Sequence, residues 1–318
     1  MRIAAIDCGT NSIRLLIAET QESHQGKKLV DLERVMKIVR LGEGVDYSGE
    51  FSQAALERTF AAAREYADLI KKYEVEKVRF GATSATRDAA NRLAFLDGIE
   101  EIVGVRPEVI DGEEEAALSF AGAASAVNIS DQLTVVVDLG GGSTEFVVGN
   151  REGLIAARSM NIGCVRLTER YSVSSPLTEQ QKTQILRDVD QAIDEAAQTV
   201  DFTQAERLIG VAGTVTTVTA NALKLNTYDS QVINATELSL EEISESALQL
   251  YSMSAQERAG LGFMHPGRID VIGTGALIWA RIVERLSEIS GGKITGAIAS
   301  EFDILDGLAL SLTQTQPS

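Results

Sequence analysis

Cysteine is scarce. Cys8 and Cys164 are the only 2 in 318 residues, too few and too far apart for a disulfide framework or a zinc pattern, and they point to a cytoplasmic protein with reduced thiols. Histidine is equally rare. His24, read as lying in a loop, and His265, beside Pro266, exclude a histidine-rich metal site and argue against a serine–histidine hydrolase. No apolar run approaches ~18 residues, so no segment is expected to span a membrane. The chain passes from Met1-Arg2 straight into a short strand, without the apolar stretch of a signal peptide. With 4 prolines and no low-complexity tract, no long linker is expected. Basic residues are outnumbered, 29 against 46, for a formal net charge of −17. A field of that sign repels nucleic acid and membrane surfaces, which argues against both as partners. It repels polyphosphate too, so a polyanionic substrate must be compact and held by local basic groups and metal ions. Two nucleotide fingerprints are missing as well. Gly291-Gly-Lys-Ile lacks the leading glycine and the hydroxyl of a P-loop, and Gly140-Gly-Gly-Ser-Thr-Glu puts Glu145 where a dinucleotide fold needs its third glycine.

What is present centres on Val135–Val148, an apolar β-branched run that reaches Asp138, breaks on Gly140, Gly141 and Gly142, shows Ser143, Thr144 and Glu145, and resumes at Phe146. This reads as strand, tight turn, strand. Glycines allow a bulky anion to approach several backbone N–H groups, and a carboxylate on each strand suits a hard cation bridging protein and phosphate. An ordinary hairpin would use the same glycines merely to turn. Repetition favours the functional reading. A shift of 131 (138 − 7) lays Asp7 on Asp138, Gly9 on Gly140 and Ser12 on Ser143. Two copies of one turn in a chain longer than a usual single core predict two similar α/β domains, residues 1–124 and 125–302, each offering a phosphate loop to a shared interdomain cleft. The C-terminal helix, 303–318, is expected to pack back on the first domain.

Three strands are expected over 1–7, 12–19 and 28–40, then a helix capped by Ser52 and running to Tyr73, and a strand over 77–82. Gly81-Ala-Thr-Ser-Ala-Thr-Arg-Asp turns into a second helix. Arg87 is placed at its start, where the helix dipole disfavours a cation; that unfavourable charge suggests a phosphate-binding arginine, with a solvated surface arginine as the equal alternative. Glu113, Glu114 and Glu115 open a further helix, as any helix prefers, although its start should lie near the interdomain hinge. The second half repeats three strands over 133–138, 144–149 and 154–160. A helix over 176–200 with a capping signal at Thr178 follows, then a strand over 208–212. Gly213-Thr214-Val-Thr-Thr leads that strand into a helix, a geometry suited to anions. Helices over 240–251 and 269–289, a strand over 293–299 and a helix over 303–312 complete the reading. Carboxylate, glycine, hydroxyl and scattered arginine together are the toolkit of metal-assisted phosphoryl transfer.

Asp7-Cys-Gly-Thr-Asn-Ser, Ala82-Thr-Ser-Ala-Thr-Arg-Asp, Gly112-Glu-Glu-Glu-Ala, Val137-Asp-Leu-Gly-Gly-Gly-Ser-Thr-Glu and Gly210-Val-Ala-Gly-Thr resemble, in order and over nearly the whole chain, the exopolyphosphatase and guanosine pentaphosphate phosphatase family. The similarity is to its short members in the actin, Hsp70 and sugar kinase superfamily, and it implies two actin-like (ribonuclease H-like) domains. It implies Glu115 as the base for the attacking water and Glu145 as the second catalytic carboxylate. Asp138 and Asp7 are implied as metal-associated aspartates, and Asn11, Ser12, Arg87, Gly140, Gly141, Gly142, Ser143 and Thr214 as phosphate-facing. The cofactor implied is magnesium, with manganese as a substitute and a monovalent cation as a companion; the partner implied is a second copy of the chain. One departure is the tail, Ala299-Ser-Glu-Phe-Asp-Ile-Leu-Asp-Gly, which lacks the arginine-rich form of many relatives. The expected activity is removal of the terminal phosphate of short inorganic polyphosphates, the alternative being guanosine pentaphosphate hydrolysis in the stringent response. An actin-like ATP-binding module or sugar kinase is a more distant reading.

Overall fold

A computed structural model describes residues 1–23, 26–127 and 129–313; the loop expected at His24 lies outside these residues. The chain divides into two compact units, Met1–Gly122 with Ile304–Ser318, and Ala123–Asp303.

The first unit opens with β1 (Arg2–Cys8), β2 (Ser12–Ser23) and β3 (Gly26–Ile38). The short α1 (Val45–Ser48) is followed by α2 (Gln53–Lys72), β4 (Lys77–Ala82), α3 (Ser84–Asp88), α4 (Arg92–Val103), β5 (Glu108–Val109) and α5 (Gly112–Ala126), whose end from Ala123 onward belongs to the second unit. Its sheet has the order β3-β2-β1-β4-β5, antiparallel from β3 to β1 and parallel from β1 to β5. Strand alternation divides β1 between two layers. Ala4, Ile6 and Cys8 pack in the core that includes Leu56, Tyr66 and Phe95, while Ile3 and Ala5 join Ile110, Leu118 and Leu308. The sheet is therefore covered on both faces, which is why β1 is apolar at nearly every position.

The second unit contains β6 (Thr134–Leu139), β7 (Thr144–Asn150), β8 (Gly153–Met160), α6 (Cys164–Arg170), α7 (Glu179–Ala196), β9 (Arg207–Val211), α8 (Ala212–Ala222) and α9 (Ser230–Ile233). It continues through β10 (Glu237–Ser239), α10 (Leu240–Ser252), α11 (Ala255–Ala259), a single 3₁₀ turn (Pro266–Arg268), α12 (Ile272–Ile289) and β11 (Gly296–Ala299). Its sheet order is β10-β11-β9-β6-β7-β8. Trp279 of α12, 1% exposed, fills the space over Gly210, where any Cβ would stand 2.5 Å from the indole. At Ile304 the chain returns to the first unit, where α13 (Ile304–Ser311) packs on β1, β2 and β4.

Local signals located most helices. Ser52 accepts from the Ala55 amide, and Thr178 with Gln181 forms a full capping box. The α7 helix is shorter than expected, beginning only after that cap. Glu108–Val109 and Glu237–Ser239 went unread, because two or three residues carry no periodicity.

Candidate active site

In each unit the chemistry gathers at the carboxyl ends of the parallel strands, where the loops after neighbouring strands converge. In the first unit Cys8 pairs with Ala82 and Ala82 with Val109. The register thus brings the loops after β1, β4 and β5 to one sheet edge, carrying Asp7 to Asn11, Thr83 to Arg87, and Asp111 to Glu115.

Asp7 is 4% exposed, and Arg14, opposite it on β2, donates to Asp7 Oδ2 from Nε at 2.9 Å and from Nη2 at 2.6 Å. The loop that follows is pinned by its carbonyls. Thr10 O accepts from the Gly42 amide at 2.9 Å, and Asn11 O from the Val39 and Arg40 amides at 3.0 and 2.9 Å. Thr10 Oγ1 and Asn11 Oδ1 are buried and find no partner among the described residues. Orphaned polar atoms of this kind ordinarily find water or ligand.

The three glutamates of α5 separate cleanly. Asp111, not a glutamate, caps the helix, accepting from the Glu113 and Glu114 amides. Glu114 pairs with Arg79 at 2.5 Å at the surface. Only Glu115 turns inward, 7% exposed, taking Arg87 Nη1 at 2.5 Å; the same Nη1 donates to Ile110 O at 2.9 Å. Burial pushes the Glu115 carboxyl above its ordinary range, Arg87 and the Thr83 hydroxyl pull it back, and nearby Asp7 raises it.

Arg87 is where the sequence argument fails. It lies in the last turn of α3, not at a helix start, because Ala89 adopts ψ 123 and ends the helix; the next begins at Arg92. A cation there is favoured by the dipole, and its inward orientation is explained by Glu115.

The second unit repeats the turn with different chemistry. Gly9 N donates to Ser12 O and Gly140 N to Ser143 O, both at 3.0 Å. Asp7 faces Arg14 across β1 and β2; Asp138 faces Glu145 across β6 and β7. The offset of 131 (145 − 14) therefore replaces an arginine with a glutamate, and an ion pair with a carboxylate pair. Opposed side chains share a face with Cβ atoms about 4.5–5.5 Å apart. Asp138 is 6% and Glu145 1% exposed, and Ser159 Oγ donates to Glu145 Oε1 at 2.7 Å.

The start of α6 grips the glycine turn from behind. Gly140 O accepts from Cys164 N at 3.1 Å, Gly141 O from the Val165 and Arg166 amides at 2.9 and 3.0 Å, and Gly142 O from Arg166 Nε at 2.6 Å. A Cβ on Gly163 would stand 2.4 Å from Gly141 O, so only glycine allows this approach. With the carbonyls engaged, the Gly141 and Gly142 amides donate to no acceptor among the described residues. Such a pair of uncommitted N–H groups suits an anion.

Thr214, 5% exposed, stands in the first turn of α8 and contacts the Cys164 sulfur. Burial raises both cysteine thiols, so neither serves as a ready thiolate. Ala212, at φ 73, is a strained non-glycine residue at this junction. Arg268 lies across it, donating to Gly213 O at 3.2 Å and Thr217 Oγ1 at 3.4 Å. Sequence reasoning missed Arg268, which no motif marks, Thr83, and Arg14, which the repeat offset would have aligned with Glu145.

No group of three metal-ligating side chains occurs among the described residues. The donor set suits magnesium nevertheless, since that ion is commonly held by one or two carboxylates and completes its shell with water and substrate phosphate. Asp138 with Glu145 supplies such a pair.

The model of the Ppx/GppA phosphatase family matches residues 16–311. The chain is 44% identical over 316 residues to a Mycobacterium tuberculosis protein named exopolyphosphatase 2, covering 98% of each. It is 34% identical over 220 residues to a Photobacterium profundum guanosine-5'-triphosphate,3'-diphosphate pyrophosphatase, covering 67% of this chain and 42% of that protein. A crystal structure of an exopolyphosphatase-like protein superposes with a TM-score of 0.93 at 46% identity, covering 98% of this chain and 97% of that one.

Proposed function

Because the chain belongs to the Ppx/GppA phosphatase family, with its two actin-like domains, we propose that it is an exopolyphosphatase that removes the terminal phosphate of short inorganic polyphosphates. The observation that carries this reading is Glu115. It is a buried carboxylate whose proton affinity is raised by its surroundings and whose position is fixed by Arg87. A base of that kind suits abstraction of a proton from water. A scaffold that merely holds a nucleotide has no use for it.

In this account Glu115 accepts a proton as the water oxygen forms its bond to the terminal phosphorus. The phosphoanhydride P–O bond breaks, and orthophosphate and a chain shorter by one unit depart. The Gly141 and Gly142 amides, Ser12, Ser143, Thr214 and Asn11 orient phosphoryl oxygens, and Arg87 assists while it positions Glu115. Glu145 serves as the second catalytic carboxylate and, opposite Asp138, would help that aspartate hold a divalent cation, magnesium or manganese, for which Asp7 is the other candidate ligand. Bound there, the cation offsets charge on the transferring group. The Asp7–Arg14 pair makes Asp7 the weaker ligand, since one of its oxygens is already committed.

The second reading is hydrolysis of guanosine pentaphosphate to the tetraphosphate by the same residues, favoured by the pyrophosphatase relative. With either activity goes the cytoplasmic location and the homodimer that the family resemblance implies. Phosphate release from tripolyphosphate, long-chain polyphosphate, guanosine pentaphosphate and ATP, with and without magnesium, separates the readings. Turnover of ATP alone would overturn both.

A further inference from the structure

Two arginines hold the connection between β5 and α5. On its buried side Arg87 donates to Ile110 O and to Glu115. On its exposed side Arg79 of β4 donates from Nε and Nη2 to Glu108 Oε2 at 3.0 and 2.8 Å, and from Nη2 to Glu114 Oε1 at 2.5 Å. Glu108 opens β5 and Glu114 lies in the first turn of α5, so one guanidinium ties together both ends of the connection. The guanidinium is itself fixed, because its Nη1 donates to Ser311 Oγ of α13 at 2.8 Å. Other restraints act elsewhere. β5 has only two residues, paired with Gly81 and Ala82, and the Asp111 cap lies within the connection and moves with it. Further along α5, Leu118 O presses on Gly307 of α13, where a Cβ would stand 2.1 Å away. The body of α5 is therefore seated, and its first turn is what Arg79 ties to the sheet.

We propose that Arg79 is a positioning residue for the reaction: by holding Glu114 at the surface, it sets the rotation of the first turn of α5 that brings Glu115 to Arg87. Successive side chains on a helix point about 100° apart, so a direction imposed on one is passed to the next. This rests on the reading of Glu115 as the base of an exopolyphosphatase.

The test follows kcat, KM and the pH–rate profile for tripolyphosphate in Arg79→Met and in Glu114→Ala, the second a substitution at an exposed position that suits a helix. Either change frees the first turn, so kcat should fall by about threefold to fivefold, as loss of an exposed ion pair allows. KM should stay unchanged, since neither residue is placed against phosphate. Glu115 is faced by Arg87 and Thr83, which lower its proton affinity, and by Asp7, which raises it. As Glu115 leaves Arg87, the acid limb should move to higher pH in both variants. A direct effect of charge would instead move it to lower pH in Glu114→Ala, which loses a negative charge. Ser311→Ala spares both carboxylate contacts and should match wild type. An acid limb and kcat unmoved in both variants, with or without a lower melting temperature, overturn the inference, as does a limb that falls in Glu114→Ala. In those cases an inactive Glu115→Gln protein keeps the exopolyphosphatase reading intact. Activity that survives Glu115→Gln, or a wild-type protein inert toward tripolyphosphate, removes that reading and the inference with it.

Discussion

Replacing Arg87 by methionine should disable the protein in a way that alkali partly repairs. The Arg87–Glu115 pair is buried, 21% and 9% exposed at the side chains, with a contact of 2.5 Å. Deleting one partner of such a pair leaves a charge without compensation and costs about 3–5 kcal/mol while that charge persists. Glu115 is already pushed up by burial, and removing the guanidinium takes away the largest influence opposing that push. The carboxyl of the variant therefore holds its proton more tightly than in wild type. The base is less available and loses its fixed position, and turnover falls by about a hundredfold. Raising the pH recovers the carboxylate and with it part of the rate, so the acid limb of the pH–rate profile moves upward. Glu115→Gln shows the same loss with no recovery at any pH. The double variant Arg87→Met/Glu115→Gln leaves no unpaired charge and should melt closer to wild type than Arg87→Met does. An Arg87→Met protein with the wild-type acid limb and melting temperature would refute the reasoning.

Other outcomes follow from the same contacts. Glu115 binds its proton more tightly folded than unfolded, so the wild-type protein should lose stability relative to Glu115→Gln as pH rises from the ordinary carboxylate value of about 4.3 to the raised value. Denaturant titrations of both proteins across that window measure this. Asp138→Asn should raise the magnesium concentration for half-maximal rate by about tenfold or more, read from a metal titration at saturating substrate. Gly163→Ala must displace Gly141 O from 2.4 Å, so KM should rise as the N–H cradle is distorted. Thr178→Ala should cost about 1 kcal/mol by denaturant melting and leave kcat unchanged, since it only uncaps α7.

Much of this was legible beforehand because the turn was copied. The offset of 131 aligned two glycine turns, and the structure closes both with the same amide-to-carbonyl bond. Apolar runs located the long strands, and side-chain caps located α2 and α7, since both signals are local. What the sequence hid was direction and partner. Three adjacent glutamates look alike as text, yet only Glu115 turns inward, because Asp111 caps the helix and Arg79 draws Glu114 to the surface. Arg87 was assigned to the wrong end of a helix because a five-residue helix leaves too little pattern to show its direction. Arg268 meets α8 through contacts distant in sequence, which periodicity does not encode.

The most direct test of the account is orthophosphate release from tripolyphosphate by wild-type protein and by Glu115→Gln, in magnesium, with melting temperatures recorded on the same samples. Magnesium-dependent release by wild type, reduced by about a hundredfold or more in a variant that remains fully folded at the assay temperature, is the predicted result. Release that survives the Glu115→Gln change would contradict it.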